Sequence, residues 1–328
     1  NGDQPFPYRQ SSEMFYLTGI VQDDSVLVIF NMDGHLEETL YIRKADEKKV
    51  VWDGHQMSLN EATEISGIDD VKINTQLVCD LQKYNSKFKN LYISRNTFDI
   101  HARRILDFVY GDNSNHINQL DSILSKYRMI KGPQEIEVIK QSSEIAHRAF
   151  LDAIKIVEPG VFEYQVEAEL TQKFIASGAD AHSFEPIVAS GENSCTLHYI
   201  KNNRQMKSGD ILLLDFGAEF SGYASDVSRT IPVNGKYSTR QKEVYQAVLE
   251  IQKQVIDIMV PGTTIKNIND RARKMLEEKM VDLGLFTHAE LKNQDEENPL
   301  SRKYFMHGTC HFMGLDVHDT GSADAVLQ

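Results

Sequence analysis

Two segments of the chain repeat one another, and this repeat constrains the fold more than any other feature of the sequence. Residues 154–160 (IKIVEPG) and 256–262 (IDIMVPG) align without a gap, and two isoleucines, the proline and the glycine match. In each copy, apolar residues at helical spacing lead into the Pro-Gly break, and an amphipathic segment follows it. The sequence therefore predicts a duplicated helix–break–helix unit in the second part of the chain.

The repeat also predicts what should follow each copy. After the first copy come His198 and then an apolar strand that carries Asp215. After the second copy comes a histidine-rich segment that ends in His318, and the same spacing would place the counterpart of Asp215 beyond Gln328. We therefore expect the second half of the duplicated unit to be incomplete within these residues.

The length of 328 residues corresponds to two domains at roughly 100–200 residues each. Short apolar runs at 25–30, 38–42 and 90–93 predict strands, and the spacing at 100–109 predicts a helix, so the first part is a mixed α/β domain. Pro133 followed by Glu135 is typical of a helix start. We place the domains at residues 1–128 and 129–328.

Charge and composition exclude several classes of protein. With 48 acidic and 35 basic side chains, the net charge of −13 argues against nucleic acid or an anionic membrane as the main partner. We find no apolar run of the 18 or so residues that a membrane-spanning helix needs. Three scattered cysteines, Cys79, Cys195 and Cys310, are too few for a disulfide framework, which predicts a cytoplasmic location.

The strongest local signal for chemistry is the segment 211–231, ILLLDFGAEFSGYASDVSRTI. It predicts a hairpin that turns at Ser221-Gly222 and brings Asp215 and Asp226 to facing positions on neighbouring strands. Two neighbouring carboxylates repel each other unless a cation lies between them, and a pair of divalent ions would suit this spacing. The alternative is structural: Asp226 pairs with Arg229 or caps a turn, and Asp215 marks the end of its strand.

The second signal is the segment 305–319, FMHGTCHFMGLDVHD, in which His307, His311 and His318 lie close together. His307 and His311 could bind one metal from a helix, although the glutamate of that motif is absent and two glycines disfavour a helix. His307, Cys310 and His311 could form a structural zinc site, although no second ligand pair follows. The histidines could also have separate roles as ligand, hydrogen-bond donor or proton carrier, or none at all.

Together, the segments LLLDFGAEFSGYASDVSRTIPVNGKYS, FMHGTCHFMGLDVHD and SCTLHY closely resemble the Xaa-Pro aminopeptidases (aminopeptidase P). This family belongs to the creatinase/prolidase/methionine-aminopeptidase superfamily. The opening PFPYRQSSEMFYLTGI is similar to the start of its N-terminal domain, so the resemblance covers nearly the whole chain. It implies an α/β N-terminal domain followed by an α+β, creatinase-like pita-bread domain, the latter duplicated and here incomplete.

The resemblance implies a two-metal hydrolase. By motif match, Asp215, Asp226 and His311 would bind the two divalent ions, most often Mn²⁺, with Co²⁺ and Zn²⁺ as alternatives. The family removes the N-terminal residue from peptides that have proline in second position, by attack of a metal-bridging hydroxide on the scissile carbonyl. His198 and His318 would contact this substrate or transfer protons.

The resemblance also implies that His307 supports the ligand shell by hydrogen bonding and that the protein forms a homodimer or homotetramer. Two glutamates complete the family's site, and neither motif follows His318. Glu158 stands in an E-P-G segment, but it precedes the first helix of the unit. We therefore expect weak metal binding and little catalysis from these residues alone. The alternatives are a prolidase, which cleaves Xaa-Pro dipeptides, and a non-catalytic binding module with the same fold.

Overall fold

The computed structural model describes residues 6–32, 34–84, 90–94 and 117–328. The chain divides into two units, Asn1–Arg128 and Met129–Gln328. The helix predicted at 100–109 lies outside the described residues. Among the described residues, none of the helices combines the length and the apolar character needed to cross a bilayer.

The first unit is built on a small mixed sheet. Strand β1 (Val26–Met32) runs antiparallel to β2 (His35–Ile42), and β2 runs parallel to β3 (Val71–Ile73). Strands β4 (Leu91–Ile93) and β5 (Ile117–Gln119) form a separate parallel pair. The strands predicted at 25–30, 38–42 and 90–93 correspond to β1, β2 and β4. The helices are α1 (Ser12–Thr18), α2 (Glu47–Asp53), α3 (Leu59–Ser66), α4 (Leu77–Tyr84) and α5 (Asp121–Arg128).

An apolar core closes the first unit beneath this sheet. It is formed by residues of β2 and α3 and by one residue each from the segments that precede β1 and β3. All of them are nearly inaccessible to solvent. They are Ile20, Leu40, Ile42, Ala62 and Ile68. Glycines in the left-handed region end α1 and α3, because only glycine adopts this conformation without steric cost: Gly19 at φ 66° and Gly67 at φ 73°.

The second unit contains two pairs of helices. The first pair is α6 (Pro133–Ala153) and α7 (Glu163–Ala176), and the second is α8 (Thr239–Ile258) and α9 (Ile265–Asp282), followed by the short α10 (His288–Lys292). Pro133 is the first residue of α6, as the sequence predicts, because proline has no N–H and that position needs none.

Backbone hydrogen bonds confirm the duplication. In the first copy, the N–H of Gly160 donates to the carbonyl of Met206; in the second, the N–H of Gly262 donates to the carbonyl of Leu327. Both distances are 2.9 Å, and both glycines have φ near 95°, at 99° and 93°. Each Pro-Gly break is therefore tied to a chain segment that returns to it in the same way.

Two three-stranded antiparallel sheets complete the second unit. Strand β8 (Ile211–Phe216) lies between β7 (Ile187–Ser190) and β11 (Val227–Pro232). Strand β9 (Ala218–Phe220) lies between β6 (Ala181–His182) and β10 (Tyr223–Ala224). Both sheets share the hairpin around Ser221-Gly222, so the predicted hairpin is confirmed.

The main core packs α6 and α7 against β7 and β8. On α7, the residues Val166, Leu170 and Phe174 are at most 2% exposed, and burying each such side chain contributes roughly 1.5–3 kcal/mol. On β8, Leu212 and Leu214 are fully buried in the same cluster. The core therefore holds one face of β8 against the helices, and Asp215 lies on the other face with the partly buried Ile211 and Leu213.

Gly217 joins β8 to β9 at a point of close approach. A Cβ at this position would overlap the carbonyl oxygen of Ser225 and the hydroxyl of Ser183, which itself donates to that carbonyl. We predict that Gly217→Ala lowers the free energy of unfolding by about 1–3 kcal/mol, because the backbone has to move to make room. Urea denaturation measures this loss.

Gly308→Ala is the control, because its Cβ would lie 3.7 Å from Asn269, an ordinary contact. If the two variants unfold at the same urea concentration, close approach is not the reason for glycine at position 217.

Candidate metal centre

The alternation of side chains along β8 directs Asp215 away from the core. Leu214 and Phe216 on either side of it are fully buried, whereas Asp215 is only partly buried on the opposite face. The strand pairing places Ser228 opposite Asp215. The expectation that Asp226 faces Asp215 is therefore wrong: Asp226 lies two residues earlier, between β10 and β11.

The physical reason is the length of the turn. Ser221 and Gly222 both have positive φ, 48° and 77°, and form a two-residue turn that pairs Phe220 with Tyr223. Continuing that register along the hairpin pairs position 215 with 228. Asp226 therefore lies two residues before the strand partner of Asp215, and it is still close enough for its negative charge to act on the pKa of Asp215.

The surroundings of the Asp215 carboxyl group disfavour its ionised form. Burial raises its pKa, and the negative charge of Asp226 raises it further. A hydrogen bond of 3.0 Å from the hydroxyl of Ser228 and the charges of His198 and His311 act in the opposite direction, and the net result is a raised pKa. A carboxylate that is hard to ionise among these neighbours is one that a bound cation would stabilise.

His311 meets Asp226 in this region. Its Nε2 lies 3.0 Å from Oδ2 of Asp226, and the hydrogen bond between them raises the pKa of the imidazole. Its Nδ1 lies 2.9 Å from the carbonyl oxygen of Phe312. With Nδ1–H held by the carbonyl oxygen of Phe312, the Nε2 position faces Asp226, where a metal ion could replace the Nε2 proton and be bound by both side chains.

His318 completes a compact group of possible ligands. Its ring centroid lies 4.3 Å from that of His311. One ligand atom each from Asp226, His311 and His318 lie within 4.8 Å of one another. Within residues 6–32, 34–84, 90–94 and 117–328, this is the one group of three or more such ligand atoms at that spacing.

The other two predicted histidines occupy different positions. His198 is exposed, follows the 3₁₀ turn Gly191–Cys195, and is close enough to influence the pKa of Asp215. His307 is exposed as well; its Nδ1 lies 2.8 Å from the carbonyl oxygen of Gly308, and its ring centroid lies 4.6 Å from that of Phe305. The contacts described for His307 thus lie within its own segment.

The structure disfavours two of the alternatives for the histidine-rich segment. Residues 304–318 contain no helix, so His307 and His311 do not project from one helical face. The thiol of Cys310 packs beside the apolar cluster formed by α8 and α9, and burial raises its pKa. A raised pKa opposes the thiolate that a zinc ligand requires, and the neighbour of His311 is instead Asp226.

A buried ion pair holds the segment that carries His311 and His318. Nζ of Lys131 lies 2.6 Å from Oδ2 of Asp319, and the two side chains are 12% and 1% exposed. The N–H of Asp319 donates to the carbonyl of Phe312, and the N–H of Ala224 in the hairpin donates to the carbonyl of Gly314. The histidine segment is thereby fixed to α6's N-terminal end and to the hairpin that carries Asp226.

The donor set fits divalent metal ions. Asp226, His311 and His318 offer one carboxylate oxygen and two imidazole nitrogens within 4.8 Å of one another, and the carboxylate of Asp215 is close enough for the charges of Asp226 and His311 to act on its pKa. Carboxylate and imidazole ligands in combination suit Mn²⁺, Co²⁺ and Zn²⁺. The arrangement can therefore concentrate positive charge beside groups that can transfer protons.

Comparisons with known families agree with this description. Residues 137–326 match metallopeptidase family M24, and residues 1–92 match the N-terminal domain of aminopeptidase P.

Curated relatives align along nearly the whole chain. An Xaa-Pro aminopeptidase of Haemophilus influenzae is 33% identical, with 98% of this chain and 74% of that protein aligned. An Xaa-Pro aminopeptidase of Escherichia coli is 32% identical, with 98% and 75% aligned. The chain spans about three quarters of the length of these two relatives.

Solved structures show the same fold. A variant of Escherichia coli aminopeptidase P in complex with substrate superimposes with a TM-score of 0.92 at 31% identity, over 100% of this chain and 77% of that chain. A zinc-substituted form of the same enzyme in complex with product gives the same values. Proline aminopeptidase P II from Yersinia pestis also has a TM-score of 0.92, at 28% identity, over 100% and 78% of the two chains.

The ion pair between Lys131 and Asp319 can be tested by removing its positive partner. We predict that Lys131→Met lowers the free energy of unfolding by about 3–5 kcal/mol, because the carboxylate of Asp319 stays buried without its ammonium partner. Lys140→Met, within α6, is the control: the side chain of Lys140 is 70% exposed and its Nζ lies 3.8 Å from Oε2 of Glu137, and such pairs contribute at most about 1 kcal/mol. Equal losses in the two variants would show that the buried pair does not anchor the segment.

Proposed function

The chain belongs to metallopeptidase family M24, and we propose that it is a metal-dependent aminopeptidase that removes the N-terminal residue from peptides with proline in second position. The observation that carries this proposal is the meeting of Asp226, His311 and His318, beside Asp215, on a fold shared with aminopeptidase P. The resemblance seen in the sequence motifs is thereby confirmed at the level of family and fold.

Asp215, Asp226 and His311 are the residues that we propose as metal ligands. We propose Mn²⁺ as the ion, with Co²⁺ and Zn²⁺ as alternatives; a zinc-substituted form of the E. coli enzyme has been solved. Divalent ions, when bound, polarise a scissile carbonyl and supply a nucleophile at neutral pH. In this proposal Asp215 and Asp226 bring two negative charges close together, and a bound cation would remove the repulsion between the two carboxylates.

The remaining histidines serve the substrate in this proposal. His318 belongs to the ligand group, and His198 is close enough to act on the pKa of Asp215; both side chains are exposed, so a substrate can reach them from solvent. An imidazole can donate a hydrogen bond and can carry a proton, so each can hold a peptide carbonyl by a hydrogen bond or pass a proton to the leaving nitrogen. His307 is proposed to support the segment that carries His311.

Proline in second position explains why a dedicated enzyme is needed. The nitrogen of the scissile bond belongs to the proline ring and carries no hydrogen, so a site cannot recognise it through an N–H donor. That nitrogen must still accept a proton when the bond breaks. A histidine close to the ligand group, such as His198 or His318, is suitably placed to provide it.

Two alternatives remain open to test. A prolidase would use similar ligands on dipeptides, but the curated relatives that align along the chain are Xaa-Pro aminopeptidases. A binding module with this fold has no need of ligand residues, whereas Asp215, Asp226 and His311 are all present and close together. The weak activity expected from these residues alone, for want of two glutamates, stays a prediction.

Location and assembly are further proposals. The three cysteines are unpaired, which supports a reducing, cytoplasmic environment. We propose a homodimer or homotetramer, and sedimentation equilibrium distinguishes these from a monomer.

The substrate proposal predicts a specific pattern of hydrolysis. The full-length protein with Mn²⁺ should release the first residue from an Xaa-Pro-Yaa tripeptide and should lose this activity after chelation. An Xaa-Ala-Yaa tripeptide is the control and should be cleaved far more slowly. Cleavage of the Xaa-Pro dipeptide alone would indicate a prolidase, and no cleavage by a metal-loaded sample would contradict the proposal.

The ligand proposal predicts that metal stabilises the protein through Asp226. Mn²⁺ at about 100 times its dissociation constant should stabilise the native state by about 2.7 kcal/mol and raise the Tm by several degrees. In Asp226→Asn this rise should disappear, because the amide carries no charge to attract the ion. Asp257→Asn, an exposed residue of α8, is the control for the change in charge and should keep the full rise.

A further inference from the structure

Glu163 is a buried carboxylate to which neither the family motifs nor the ligand group gives a role. It is the first residue of α7 and is 0% exposed. It lies on the same face of the helix as Val166, Leu170 and Phe174, which belong to the main core. An ionised side chain among such neighbours is costly unless hydrogen bonds replace the water that it loses.

Five donor groups replace that water through six hydrogen bonds, one of which is a longer second contact of 3.4 Å from Nδ2 of Asn193 to Oε2. Oε1 accepts from the N–H and the hydroxyl of Ser190, both at 2.7 Å, and from Nδ2 of Asn193 at 3.2 Å. Oε2 accepts from the hydroxyl of Tyr199 at 2.7 Å and from the N–H of Arg204 at 2.9 Å. Burial alone would raise the pKa of Glu163, but these bonds outweigh it and hold the pKa below its ordinary value.

All five donors belong to one stretch of chain, residues 190–204, and His198 lies within it. Asn193 precedes His198, and Tyr199 follows it directly. The ring of His198 is exposed, so packing against a core does not determine where it lies. Its position depends on how firmly the residues on both sides are held, and Glu163 holds both sides.

We propose that Glu163 is a positioning residue that sets the place of His198 beside Asp215. It acts through Asn193 and Tyr199 and touches neither substrate nor metal. This inference rests on the proposed function, which gives His198 its role at the substrate. A misplacement of a reacting group by about 1 Å can cost 100-fold in rate, so an anchor of this kind affects kcat.

Glutamine cannot replace Glu163 at this position. Each carboxylate oxygen accepts one backbone N–H, from Ser190 on one side and from Arg204 on the other. In either orientation, the NH₂ of a glutamine would face one of these N–H groups, donor against donor. Glu163→Gln should therefore loosen the segment, although the side chain keeps its size.

Tyr199→Phe is the gentler test, because it removes one donor to Glu163 and keeps the ring. We expect this variant to lower kcat roughly 3- to 30-fold and to change KM less than about twofold. In a His198→Ala background, the same substitution should change kcat less than about twofold, since there is no histidine left to position. Tyr164→Phe, a neighbouring tyrosine that is 49% exposed, is the control.

The double-mutant cycle separates positioning from general stability. An equal fold-loss of kcat in both backgrounds would overturn the proposal, because Tyr199 would then act without His198. A His198→Ala variant with the activity of the parent would overturn it as well.

A second measurement needs no turnover. In the metal-free protein, the imidazole NMR signals of His198, assigned by their loss in His198→Ala, should shift or broaden in Tyr199→Phe and in Glu163→Gln. Those of His318 should stay in place, as should all of them in Glu192→Gln, an exposed residue of the same segment. Unchanged His198 signals would overturn the proposal. Failure of the wild type to cleave Xaa-Pro peptides would instead contradict the proposed function, while these signals still decide the role of Glu163.

Discussion

The alternation of buried and exposed side chains along β8 is the constraint on which the site depends. Leu212, Leu214 and Phe216 are fully buried against α6 and α7. A slip of one residue would move all three to the open face and bury Asp215 in their place, so the core fixes the register of the strand. The same packing that stabilises the unit therefore directs the carboxylate of Asp215 to the face where Asp226 and His311 meet it.

The histidines reach this face on irregular segments, where no strand alternation can position them. Buried carboxylates position these segments instead. Glu163 holds the stretch around His198, and Asp319 holds the stretch around His318. A buried charge that is fully bonded adds little net stability, but it tolerates few alternative geometries. Such anchors suit a site in which small displacements change the rate more than the stability.

Local signals made much of this predictable from the sequence. The Pro-Gly breaks, the start of α6 at Pro133 and the hairpin at Ser221-Gly222 each depend on residues adjacent in the chain. The strand partner of Asp215 was predicted wrongly. The two-residue turn sets the register and pairs Asp215 with Ser228, and the prediction of Asp226 as its partner did not carry that register along the strands. Lys131 and Asp319 lie 188 positions apart, so no local pattern links them. Glu163 did leave a signal, a carboxylate at the head of the apolar stripe of α7.

The duplicated unit explains why the two anchors differ. In both copies the returning segment that binds the Pro-Gly break comes shortly after a histidine, His198 in the first copy and His318 in the second. The position of Glu163 corresponds in the repeat to Ile265, which is a buried apolar residue. The second copy thus lacks the carboxylate at the helix start and ties its histidine segment to α6 through Asp319 and Lys131. The backbone hydrogen bonds of the two copies therefore correspond, whereas the side chains that anchor the two histidine segments differ.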